Sequence, residues 1–304
     1  MLAMKGCGRL KGTPYAMSQQ LPPSAIHPLA PEFISAAALY SAPIDVDSAV
    51  ARLPQLWNVD ITPQWEEIPA SDTSPGGRLL HFEVDGVTTM LSVIPRPLEV
   101  ERGRLPEHSF YLAMTLYAPL AEERADSSRN ATDPGQPPAL RQPEGSTTTA
   151  QDMGLRRRAR MVAAHTMLTQ LSDALMREPA AVGVYRTELG VVHPPEMITS
   201  LAELLTQGRA PLPLWIGVRT FHPDLTHGRT LGLPMFGHLD LEIMDSTRSE
   251  EEVYELLANV ADYIVAGDGY LLPGQTVGFR DGEELALTQA TSPADQMPVV
   301  RIAF

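Results

Sequence analysis

Lysine and cysteine are nearly absent from this sequence: Lys5 and Lys11 are its only lysines and Cys7 its only cysteine. Every fixed cation past residue 11 is therefore an arginine. That excludes a P-loop lysine, a Schiff-base lysine and a Ser/Lys dyad from the main body of the chain. No C-x-x-C, G-x-x-x-x-G-K-[ST], G-x-S-x-G or H-E-x-x-H occurs either, which removes the chemistries that depend on those spacings. Gly267-Asp268-Gly269 with Gly274 has the wrong spacing for a dinucleotide fingerprint and follows a helical pattern, so it reads as a turn. Nowhere do about eighteen apolar residues follow one another, as a membrane-spanning helix requires. The first sixteen residues lack the apolar core of a secretory signal. A cytoplasmic protein with no membrane partner is the expectation.

The 304 residues carry 23 basic against 37 acidic side chains, a formal charge of −14, and 43% of them are hydrophobic. A chain of that size and composition builds a globular core without disulfides. Its acidity argues against general nucleic-acid binding, which needs clustered Lys and Arg to neutralise phosphates. The arginines are spread along the chain, as in proteins from GC-rich genomes. All of the Lys and Cys fall in the first sixteen residues, and the expected true start is Met17.

Residues 1–32 read as a flexible lead-in. Phe33 to Tyr40 has the apolar density of a buried strand, and Asp45 to Trp57 places Val46, Val50, Leu53 and Trp57 at helical spacing. Strands are expected over Ile61–Ile68, Leu79–Val84, Val87–Ile94 and Phe110–Tyr117. Asp85-Gly86 is the turn of a hairpin, because Gly adopts the positive φ of a two-residue loop. Residues 121–152 are rich in Pro, Gly, Ser and Thr and poor in large apolar side chains, the composition of a disordered insertion. A helix follows from Leu155 to Met176, its stripe formed by Met161, Ala164, Leu168, Leu171 and Leu175. Arg156, Arg157, Arg158 and Arg160 at its start read as a solvated face. Beyond it come a strand over Ala181–Arg186, a helix from Pro195 to Leu205, and strands over Leu214–Phe221 and Met235–Met244. Ser249 to Ala266 forms a helix opened by a Ser249/Glu252 capping box. A hairpin through Asp281-Gly282 and a strand over Val299–Phe304 close the chain.

These elements divide into an N-terminal α+β half (33–120) and a C-terminal α+β half (153–304). Strand, helix, Asp-Gly hairpin and strand recur near both ends, over 33–117 and 235–304, as in two distant copies of one unit. The fold class is therefore α+β: a two-layer sandwich of mainly antiparallel sheets with helices on one face.

Leu214-Trp215-Ile216-Gly217-Val218-Arg219 and the run from Thr230 through Gly237-His238-Leu239-Asp240-Leu241-Glu242-Ile243 resemble a bacterial family called domain of unknown function 4261. The strand Ala181–Tyr185 and the stretch from Tyr263 to Thr276 agree with it, so the resemblance extends over about residues 155–304. It implies an intracellular bacterial α+β protein with no established activity, and it carries over no site residues.

Two surfaces stand out as candidate sites. Alternate residues of a strand share a face, which groups His238, Asp240 and Glu242, with Arg219 and Trp215 on the preceding strand opposite them. Imidazole beside carboxylate binds metal or moves protons, and His222 and His227 stand nearby as weak ligands with His238. The spacing matches no metal motif, no cofactor is implied, and a solvated sheet face accounts for the same residues. The second surface is the acidic opening of the last helix, Glu250, Glu251, Glu252 and Glu255, which suits capture of a basic protein by electrostatic steering. The leading reading is a non-catalytic protein-binding module, immunity-like or adaptor, with a basic partner. The alternative is an enzyme or a small-ligand or metal sensor using the groove near Arg219, His238, Asp240 and Glu242. Oligomeric state is left open.

Overall fold

A computed structural model describes residues 33–69, 76–101, 103–119, 150–267 and 269–304. The expected lead-in over 1–32 and residues 121–149 of the expected insertion lie outside the described residues. The architecture is α+β, with two sheets. The first has seven antiparallel strands in the order β2-β3-β4-β5-β1-β6-β7. They are β1 (Phe33–Tyr40), β2 (Gln64–Ile68), β3 (Gly77–Val84), β4 (Val87–Ile94), β5 (Phe110–Tyr117), β6 (Ala181–Arg186) and β7 (Val191–His193). The second has six strands in the order β11-β12-β13-β10-β9-β8 and is mixed, because β10 and β13 run parallel. Its strands are β8 (Gly217–Phe221), β9 (Thr226–Leu231), β10 (Asp240–Ser246), β11 (Thr276–Gly278), β12 (Glu284–Thr291) and β13 (Pro298–Ile302).

The helices are α1 (Val46–Val50), α2 (Arg52–Trp57), α3 (Ala150–Met176), α4 (Pro195–Thr206), α5 (Leu212–Trp215) and α6 (Glu250–Ala266). On β1, Ile34, Ala36, Ala38 and Tyr40 face the core, and on β5 Phe110, Leu112, Met114 and Leu116 do the same. The long helix α3 packs on that face, touching β1, β4, β5 and β6. In the second sheet α6 lies on β8 and β9 through Val253, Leu256, Leu257 and Val260. Among the described residues no helix is long and apolar enough to cross a membrane.

Local signals work where they are self-contained. Asp85 and Gly86 both have positive φ, 49° and 76°, and Val84 pairs with Val87 across the two-residue turn. Ser249 and Glu252 form the reciprocal cap of α6. Asp45 accepts bonds from the amides of Asp47 and Ser48 at the start of α1.

Other expectations need correction. The single helix over 45–57 is two short ones, because Pro54 has no N–H to donate to the carbonyl of Val50 and the turn breaks at Ala51. The strand expected over Leu214–Phe221 starts at Gly217, after the helical turn α5. The strand expected from Met235 starts at Asp240, after a 3-10 turn over Leu233–Phe236 closed by Gly237 at φ 73°. No element was expected over Thr226–Leu231 or Val191–His193, and both are strands. The last hairpin is joined not by a tight pair but through a 3-10 turn over Arg280–Gly282, with Gly278 opposite Glu284. Residues 150–152, assigned to the insertion, are the first turn of α3.

The arginine run is a solvated face only in part: Arg156 and Arg157 are exposed, whereas Arg158 and Arg160 turn to the protein. Arg158 is fully buried and donates from Nε to the carbonyl of Phe236 (3.0 Å) and from Nη1 to those of Ile264 (2.9 Å) and Gly269 (2.8 Å). Its guanidinium lies 4.0 Å over the ring of Tyr270. It thereby ties the helix of the first sheet to three segments of the second. Arg160 donates to the carbonyls of Asp85 and Gly86, and a Cβ on Gly86 would stand 2.4 Å from its Nη2. Arg158 is three residues before Met161, in phase with the apolar stripe, which is the signal its charge conceals.

Candidate functional site

The polar cluster expected on a strand face is interior. His238, Asp240 and Glu242 are 0%, 7% and 3% exposed, so the solvated-face account of them fails. His238 sits before β10, turned inward after Gly237. Its Nδ1–H donates to the carbonyl of Leu239 (2.6 Å) and its Nε2 accepts from the amide of Leu271 (3.2 Å), which uses both nitrogens and leaves a neutral ring. Burial lowers its pKa to about 4. Asp240 accepts from the Thr230 hydroxyl (3.1 Å) and the Leu233 amide (3.2 Å), and holds the 3-10 turn against the sheet. Burial raises its pKa to about 7, although Arg229 pulls the other way.

Glu242 accepts from the Ser292 hydroxyl (2.5 Å) and from Nη2 of Arg301 (2.6 Å). Arg229 donates to the same hydroxyl (2.9 Å) and pairs with Asp295 (2.8 Å). Register explains the set: Thr288, Arg301, Glu242, Arg229 and Arg219 follow one another across β12, β13, β10, β9 and β8. Arg219 is therefore one strand too far to meet Glu242. No strand was expected over 226–231, which hid β9, and Arg229 occupies the place given to Arg219. The arginines at 229 and 301 and the serine at 292 were missed for that reason, since only strand pairing joins them.

The remaining candidates disperse. Trp215 is in the core, 2% exposed, with Nε1 bonded to the Thr169 hydroxyl (2.9 Å) and its ring beside His165 and Phe236. His165 donates from Nδ1 to the Met161 carbonyl (2.9 Å) and lies 3.3 Å from Arg186. Burial, then the charge of Arg186, holds its pKa well below the usual value. His222 contacts the Thr226 hydroxyl (2.7 Å), while His227 stacks on Phe221 and faces Asp245. Neither approaches His238 as a co-ligand, and among the described residues no group of three or more His, Cys, Asp or Glu is placed to hold a metal ion. On α6, Glu250 accepts from the Thr220 hydroxyl, Glu252 caps the helix and faces Arg248, and Glu255 pairs with Arg280. Glu251 is exposed.

Arg219 instead lines a groove of about 800 Å³ on the open face of the first sheet. Its floor is Ala37 and Ala113, paired across β1 and β5. Tyr111 stands at one end of that row's neighbours and Tyr185, opposite Ala37 on β6, at its side. Ser35 and Thr115 form the next row. The 95–109 connection forms a lip carrying Glu99 and Glu101. His108 pins that connection, accepting at Nε2 from the Leu98 amide (2.8 Å) and bonding at Nδ1 to the Pro106 carbonyl (2.7 Å). At the far end Arg219 donates to the Leu189 carbonyl (2.7 Å). Tyr40, His165, His193, His238 and Asp240, whose protonation the fold shifts, are not among the lining residues.

Residues 229–303 match the family described as Domain of unknown function (DUF4261). No curated protein and no solved structure matches the chain. The DUF4261 segment takes in β10 to β13, α6 and the second half of β9, and with them the whole Arg229–Glu242–Ser292–Arg301 network. The earlier part of the expected resemblance, from residue 155, falls outside the match. Every residue lining the groove also lies outside the DUF4261 segment.

Proposed function

We propose that this protein is a non-catalytic, cytoplasmic protein-binding module, of the adaptor or immunity type, that takes a basic partner. The groove over the first sheet carries the reading: it is lined by small residues, by tyrosines and by Arg219, Glu99 and Glu101, which among the described residues meet no opposite charge, and it receives none of the side chains whose protonation burial has shifted. A formal charge of −14 adds long-range attraction for a cationic partner. The opening of α6 contributes less than its acid count implies, because Glu250, Glu252 and Glu255 already have partners within the chain.

The alternative of an enzyme or sensor built on Arg219, His238, Asp240 and Glu242 has no common cavity to work in: Arg219 faces the groove and the other three are interior. Native mass spectrometry of the protein gently purified from its own host tests the choice. The expected spectrum contains a bound polypeptide of basic composition. Added mass of a metal ion or small molecule, or a bare chain at every protein concentration, would refute the binding-module reading.

A further inference from the structure

We infer that the groove on the first sheet holds an extended, net-basic segment of the partner protein and reads its direction, with Arg219 taking a carboxylate at one end and Glu99 and Glu101 taking cationic side chains at the other. The inference rests on the binding-module reading and names what that module recognises.

Shape is the first ground. Ala37 and Ala113 face each other on neighbouring strands and are flanked by larger side chains, Tyr111 and Tyr185. Two adjacent methyl groups let a backbone approach the sheet closely, while the rings offer flat apolar walls to the side chains that follow. Among the described residues no helix lies on this face, and α3 packs on the opposite side through Ile34, Ala36, Ala38 and their neighbours.

Charge is the second. Arg219 is exposed and bonded to one backbone carbonyl, and among the described residues no carboxylate pairs with it. Its guanidinium is held in place with donors to spare, the arrangement that binds a carboxylate in a forked geometry. Glu99 and Glu101 are likewise exposed, and among the described residues neither meets a cation. The two signs enter from opposite ends. Arg219 stands by the β6–β7 turn, where Ser35 on β1 donates its amide to Glu188 (2.9 Å) just beyond the Ala36–Arg186 pair. The lip leaves β4 at Ile94 and returns at Phe110, across from Leu39 and Tyr40. Ser35 and Leu39 are separated by about 13 Å at ~3.3 Å per residue, a span that an extended peptide of a few residues covers. Two carboxylates against one guanidinium select a segment of net positive charge, and their separation fixes which way it lies.

The probes are three blocked peptides: acetyl-Lys-Lys-Ala-Val-Ala-Val-Glu-amide, the same sequence reversed, and the first with Gln at each charged position. Binding to the full chain is followed by amide chemical shifts and by fluorescence polarisation of labelled copies. One charged order is expected to bind, with shifts on β1, β5 and β6, and the other two peptides at least tenfold more weakly. Arg219→Gln and the double variant Glu99→Gln/Glu101→Gln should each weaken the preferred peptide about tenfold, Ala113→Phe should abolish binding, and Glu251→Gln should leave it unchanged. Equal binding of the three peptides, shifts confined to α6, or no binding by any peptide overturns the inference. If Ala113→Phe fails to fold by its melting curve, Arg219→Gln on the rim decides alone. A host polypeptide that stays on the Ala113→Phe and Arg219→Gln proteins would overturn the groove and leave the binding-module reading standing.

Discussion

The two sheets follow one plan and end with opposite surfaces. In each, a central strand, β1 or β10, is followed by helix and then by a meander whose last strand, β5 or β13, returns beside it, with a hairpin on the other flank. The first meander has four strands and the second three, so the return is antiparallel in one and parallel in the other. On the first sheet the face away from α3 carries Ser35, Ala37, Tyr111, Ala113 and Thr115 around the groove, and among the described residues no helix covers it, although Leu39 at its end is buried. On the second, the central row is locked into Arg229, Glu242, Ser292 and Arg301. A face whose polar groups satisfy one another stabilises the chain and offers little to a partner, while a face with unmatched charge and small side chains costs little stability and is available for recognition.

Substitutions test that contrast directly. Arg158 couples the two sheets, and Arg158→Met strands three buried carbonyls at ~1–3 kcal/mol each. The expected loss is about 3 kcal/mol or more, and chemical denaturation should resolve two transitions in the variant and one in the native chain. A single transition at unchanged midpoint would mean that the sheets are coupled elsewhere. Within the second sheet, Glu242→Ala leaves Arg301 and the buried Ser292 hydroxyl without their acceptor. Removing one partner of a buried pair costs ~3–5 kcal/mol. Because Arg301 is one-third exposed, about 2–3 kcal/mol is expected, and a loss under about 1 kcal/mol would erase the contrast.

Titration gives the next effect. Asp240 has a pKa raised to about 7, so the folded chain binds its proton more readily than the unfolded one, and its contribution to stability falls as pH rises from about 4 to about 7. His238, lowered to about 4, and His193, also about 4, act in the opposite sense: the folded chain resists protonation, and stability falls as pH drops from about 6.5 to about 4. Asp240→Asn keeps an acceptor for Thr230 and Leu233 and should steepen the acid-side loss, by up to ~1.4 kcal/mol per pH unit where one proton is at stake. Melting curves from pH 4 to 7 that stay parallel to the native ones would contradict the assignment. The smallest effect belongs to the first sheet. Thr115→Val on the open face is expected to change stability by less than ~0.5 kcal/mol, and a larger change would mean that this face has a covering of its own.

Legibility followed the range of the interaction. β5, β6 and the Asp85-Gly86 turn were readable residue for residue, because alternation and turn chemistry are local. The Ser249 cap was readable because its two bonds span three residues. β9 was not, since Thr226-His227-Gly228-Arg229-Thr230-Leu231 alternates small and polar residues and carries almost none of the apolar density of a strand. Its place between β8 and β10 comes from pairing at both edges. Missing it misplaced the partner of Glu242 and turned an interior network into a surface. Trp215 was placed in a groove because the turn α5 was read as strand, and the turn rotates the indole into the core beside Thr169.

Composition and periodicity by themselves determined the α+β class, most of the helices, the acidic surface and the absence of lysine chemistry past residue 11, because each depends on residue type or on neighbours a few positions away. Tertiary structure alone decided which charges are free. Arg158 and Arg219 are the same residue type, yet one spans three carbonyls in the interior and the other stands at the rim of a groove. Burial and partnering of a charge depend on which distant strands and turns are brought against it, and that information is carried by register and packing, which no local stretch of sequence contains.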